Sequence, residues 1–106
     1  MLFSPKATLF AAEREAFVRV LEAALGGIPE IVRVRVGRRL ATGRQYEALG
    51  PVHEFVAILE FETAEALGRY LDHPAHTALG DAFYQTLDRA VVTDYELVDD
   101  VRALKV

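Results

Sequence analysis

Cysteine is missing from the chain, and with it every disulfide, thiolate metal site and cysteine nucleophile. That fits a reducing compartment. No apolar run approaches the roughly 18 residues that a membrane-spanning helix needs. The opening Met1-Leu2-Phe3-Ser4-Pro5-Lys6 lacks the basic start and apolar core of a secretory signal. Cytoplasm is therefore the expected location, with no membrane partner. Also missing are a glycine-rich phosphate loop, a nucleophile elbow and a paired-carboxylate motif, so no cofactor is expected. No internal repeat or low-complexity segment interrupts the chain. Positive charge is in the minority, with 12 Lys and Arg against 16 Asp and Glu and a net charge of −4. That balance argues against nucleic acid as a partner.

What is present is short and apolar. The 106 residues suit one domain, residues 1–106. At 52% hydrophobic, so short a chain is expected to place some apolar surface at an interface rather than in a private core. Its charge is unevenly placed. Arg33, Arg35, Arg38, Arg39 and Arg44 crowd one segment, whereas Asp94, Glu96, Asp99 and Asp100 crowd the end. Two readings of this stand: solvated strand faces, or electrostatic complementarity across a dimer or at an anion site.

Periodicity divides the chain into alternating elements. Met1–Phe3 reads as a strand that Pro5 cuts short. Thr8 is placed to cap a helix over 9–25, with Phe10, Phe17, Val20, Leu21 and Ala24 on one side and Arg14, Arg19 and Glu22 on the other. Gly26-Gly27 and Pro29 end it. Val32, Val34 and Val36 then alternate with arginines, as in a half-covered strand, and Gly37 marks a possible bulge. Residues 41–51 form a polar hairpin loop of about ten residues, a length associated with function or mobility.

The next strand, 53–61, is apolar in both phases, Phe55-Val56-Ala57-Ile58-Leu59-Glu60-Phe61, and so is expected to be covered on two faces. Thr63 caps a short helix over 64–71. Proline suits the first position of a helix, so Pro74 starts another with His73 as its cap, running to about Leu87 with Leu79, Phe83 and Leu87 as its buried stripe. A last strand is expected over 90–98. The order predicts an α+β, ferredoxin-like βαββαβ domain, a four-stranded antiparallel sheet with its helices on one face. The bare second face predicts a homodimer in which two sheets close into a dimeric α+β barrel.

Phe55–Phe61, Glu65-Ala66-Leu67, Tyr70, His73-Pro74-Ala75-His76 and Val91-Val92-Thr93-Asp94-Tyr95 together resemble the stress-responsive dimeric A/B barrel (Dabb) family. The likeness spans nearly the whole chain, and the His-Pro-x-His element is its most specific mark. It implies the same subunit fold and a homodimer, but no single activity. Locally, His73-Pro74-Ala75-His76 with Gly80-Asp81 is similar to the olivetolic acid cyclase branch, which closes a polyketide ring. That resemblance implies His76 as a catalytic histidine with Tyr70 beside it. The branch's first-strand histidine falls just ahead of Met1, which leaves two expectations, an unusually short first strand or a start codon placed too far downstream, and its second pocket tyrosine aligns with Leu21.

His76 is thus a candidate general base, with Tyr70 orienting a carbonyl or phenolic oxygen; the other reading is a histidine that satisfies neighbouring backbone or a partner subunit. Tyr70 and Tyr84 are candidates to line a cavity with Phe17, Leu21, His73 and Phe83, where a small apolar or aromatic molecule would bind. His73 and His76 stand three apart, but no third ligand sits at motif distance and His53 is on another strand, so no metal is expected.

Overall fold

The computed structural model describes all 106 residues. Leu2–Pro5 forms β1, Ala11–Gly27 α1, Ile31–Arg38 β2, Phe55–Phe61 β3, Ala64–Asp72 α2, Pro74–Thr86 α3 and Leu87–Val91 β4. The four strands make one sheet in the order β2-β3-β1-β4, with every neighbouring pair antiparallel. This is the ferredoxin-like βαββαβ arrangement that the pattern predicts. No helix is long and apolar enough to cross a membrane.

Residues directly opposed in an antiparallel pair share a face of the sheet. Phe3 opposes Phe55, Val36 opposes Ala57 and Val34 opposes Leu59. These side chains face the helices, and Phe3 and Ala57 form the buried core with Phe17 of α1 and Leu87. The rings of Phe17 and Phe83 meet with centroids 5.5 Å apart, and Phe3 meets Phe17 edge-on at 6.1 Å. On the opposite face Leu2 lies between Val56 and Val91, and Ile58 opposes Arg35. Nothing covers this second face: Ala57 is 1% exposed, its neighbour Ile58 48%. The molecule is accordingly a slab, 46 × 40 × 17 Å.

Several boundaries depart from expectation for local reasons. Thr8 does not cap α1. The Lys6 N–H donates to the Thr86 carbonyl and Leu9 closes a turn onto Lys6, so the helix begins later, with Glu13 accepting from the Phe10 N–H at 2.7 Å. Phe10 is therefore outside the helix and 76% exposed, not part of the buried stripe. Arg14, expected on the solvent side, is half-buried towards the sheet. The register of β2 slips between Ile31 and Arg33, which takes Val32 out of the alternation; Gly37 stays in register opposite Val56. A Cβ at Gly37 would come within 3.2 Å of the Val56 Cγ1, so glycine serves close cross-strand approach there rather than a bulge. The last strand starts and stops earlier than expected. Beyond Val91 the chain runs on as an arm outside the sheet, with Tyr95 and Leu97 exposed.

The expected caps of the other two helices are present. The Thr63 hydroxyl accepts from the Ala66 N–H at 3.0 Å, and the His73 Nδ1 accepts from the Ala75 N–H at 3.0 Å with Pro74 opening α3.

Candidate functional site

Two cavities lie between the helices and the sheet, and Leu21 of α1 belongs to the walls of both. The reason is geometric. A helix lying across a twisted sheet touches it closely over a limited stretch, here at Phe17, which packs with Phe3 and Ala57.

The larger cavity, about 380 Å³, lies between α1 and the end of the sheet where β2 leaves it. Its wall is made by Phe3, Phe17, Leu21, Val36 and Phe55. Val36, on this wall, is exposed. Arg14 and Arg38 also line this space.

The smaller cavity, about 110 Å³, holds His76 and Tyr70. Tyr70 comes from α2, and His76 from the first turn of α3. The short connection through His73 folds the two helices so that the His76 ring meets the Tyr70 ring edge-on, centroids 4.7 Å apart. On its other side Tyr70 stacks on Phe61 at 5.0 Å. Tyr70 is 8% exposed, and burial, reinforced by the negative charge of Asp94, pushes its phenol pKa above the ordinary value. It is therefore a neutral hydrogen-bond donor at physiological pH. Val92, Thr93 and Asp94 of the C-terminal arm also line this cavity.

The sequence-predicted residues are thus divided. Tyr70, His76 and Leu21 share the smaller cavity, while Phe17 and Leu21 line the larger. Phe83 packs in the core against Phe3 and Phe17. Tyr84, one position on, points away from both cavities and is 88% exposed. His73 is engaged as a cap. The His53 Nδ1 is buried without a partner, and no three His, Asp or Glu side chains gather as a metal-binding group.

Sequence reasoning missed Arg14, Arg38 and Asp94 as wall residues. Arg14 stands three and seven positions before Phe17 and Leu21, a spacing that marks a shared helix face. For Asp94 the signal was weaker, since its segment reads as a strand.

Residues 1–97 match the family model for the stress-responsive A/B barrel domain. No curated protein matches the chain. Among solved structures, a protein of Arabidopsis thaliana superposes with a TM-score of 0.75 at 21% identity, over 93% of this chain and 92% of that one. A Dabb family protein with a ferredoxin-like fold from Mesorhizobium loti gives 0.71 at 21%, over 92% and 91%. A dimeric protein of unknown function and ferredoxin-like fold from Bacteroides fragilis gives 0.63 at 21%, over 91% and 90%. At these identities the likeness concerns the fold. Taken with the element order and the one-sided sheet, the match over residues 1–97 means that the chain belongs to the stress-responsive A/B barrel domain family.

Proposed function

We propose that this protein is a homodimer that holds a small apolar or aromatic molecule between α1 and the sheet of each subunit. The observation that carries the ligand reading is the 380 Å³ space walled by Phe3, Phe17, Leu21 and Phe55. Its volume falls within the ~300–1,000 Å³ typical of small-molecule sites. An apolar wall gains by shedding water onto a ligand, and no side chain of the protein fills the space. The homodimer is supported by the uncovered apolar face and by solved relatives in fold that are dimeric. Because the cavity is on the helix side of the sheet, pairing through the other face leaves it available.

The test uses the full chain and two probes, octan-1-ol and naphthalene. The amide resonances of Phe17, Leu21 and Val36 and the methyl resonances of Leu21 and Val36 are expected to shift on titration. Val18, on the cavity wall and half exposed, is a suitable position for a block. Val18→Trp is expected to abolish the shifts while leaving the fold intact. Unmoved resonances with both probes would refute the ligand reading.

A second reading is favoured by one observation, the sharing of the smaller cavity by His76, Tyr70 and Asp94. In it the protein is a cofactor-independent enzyme of the polyketide-cyclase or proton-transfer type. His76 acts as general base on an activated C–H, and the neutral Tyr70 phenol donates to the oxygen that gains charge. The 110 Å³ volume favours the binding reading, since it is below the ~300–1,000 Å³ typical of small-molecule sites. Deuterium exchange at the activated methylene of a β-diketone tests it. Acceleration by the wild type that falls at least ~10²-fold in His76→Ala supports the enzyme. A rate equal to that of buffer removes it.

A further inference from the structure

Arg14 and Arg38 reach the larger cavity from different elements. Arg38 is opposed to Phe55 across the sheet and so is on the helix-facing side. Arg14 follows the α1 stripe of Phe17 and Leu21 and is half-buried. Two cations therefore converge on an apolar space from the two surfaces that enclose it. Neither has a carboxylate partner. The ion pairs of this protein use Arg33, Arg39, Arg69, Arg89 and Arg102, and no Asp or Glu lines the cavity. Arg14 is half-buried and Arg38 exposed, so two like charges border apolar walls with no carboxylate of the chain paired to either to offset their repulsion.

We propose that the larger cavity is a binding site for a small carboxylic acid with an apolar body, its carboxylate held by Arg14 and Arg38 and its body lying against Phe17, Leu21 and Phe55. A guanidinium presents a planar fork of donors that matches a carboxylate in geometry. Thr86, also on the wall, carries a hydroxyl that could serve as a third donor. The protein's net charge of −4 repels anions in general, so a preference for a carboxylate has to arise locally. The inference rests on the reading of this cavity as a ligand site and adds the head group.

The test compares octanoate with octan-1-ol, which has the same chain length and no charge, by calorimetry on the full chain. Octanoate is expected to bind at least about tenfold more tightly, the size of one charge-assisted hydrogen bond, and to lose that advantage as salt is raised. In the double variant Arg14→Gln/Arg38→Gln octanoate is expected to lose its advantage over octan-1-ol, with circular dichroism matching the wild type. Equal affinities in the wild type, or a preference that survives in the double variant, would overturn the anion site and leave the apolar cavity standing. Binding of neither ligand would overturn both.

Discussion

The Glu47 carboxylate accepts hydrogen bonds from the hydroxyl and backbone N–H of Thr42 and from the Gly43 N–H, and it pairs with Arg39. Those contacts, the Thr42 hydroxyl foremost, hold its pKa down from the ordinary 4.5 to about 2. The long hairpin loop is therefore tied to its own base, and Gly43 supplies the left-handed turn, φ 74°, that the tie requires. The sign of the pH effect follows. Above pH 4.5 the carboxylate is ionised whether the loop is ordered or not, and its contribution is full; between 4.5 and 2 the contribution declines, and below 2 it is gone. Protection of the Thr42 and Gly43 amides is expected to fall over that window, and Glu47→Gln to remove the dependence. At His73 the prediction is one of stability. His73→Ala leaves the Ala75 N–H without its acceptor and is expected to cost about 1 kcal/mol in urea unfolding, most of which His73→Asp restores. No comparable loss in His73→Ala would show that the cap contributes nothing. The cap at His73 was legible because proline follows it. The exposure of Tyr84 was not, since helical spacing alone leaves open which side of α3 meets the sheet.

At the scale of the element, β3 carries two different constraints on alternate residues. Ala57 packs under α1, so Ala57→Leu is expected to overfill the core and cost about 1–3 kcal/mol of subunit stability. Ile58, on the uncovered face, is expected to tolerate Asp within the subunit but not within the assembly. Circular dichroism of Ile58→Asp should match the wild type while sedimentation shifts to the monomer; an unaltered dimer would place the interface elsewhere. The doubly apolar pattern of β3 was readable because each phase of a strand meets one surface. The ends of α1 and β4 were not. Lys6 is held by the Thr86 carbonyl, a contact distant in sequence, and residues 92–98 have strand composition without a strand to pair with.

The whole molecule exposes 8327 Å², whereas a folded monomer of this mass is expected to expose about 5,900 Å². Apolar contributors to the exposed surface include Leu2, Ile58 and Val91 on the uncovered sheet face, Leu40 and Leu49 in the hairpin loop, and Tyr95, Leu97 and Val101 in the C-terminal arm. The excess is larger than the ~800 Å² per partner of a standard protein interface. Sedimentation at micromolar concentration is accordingly expected to give twice the 11.8 kDa chain mass. A persistent monomer would contradict the proposed interface.

Alternation, capping residues and the order of elements are local properties of the chain, each set by neighbours a few positions away. They were enough to determine the βαββαβ subunit and its one-sided sheet. Which side of α1 Arg14 joins, whether Phe83 or Tyr84 faces inward, and that two cavities rather than one separate α1 from the sheet depend on how a helix lies across a twisted surface. That is decided by contacts between residues far apart in sequence, so only the tertiary structure could place two unpaired arginines in one apolar space.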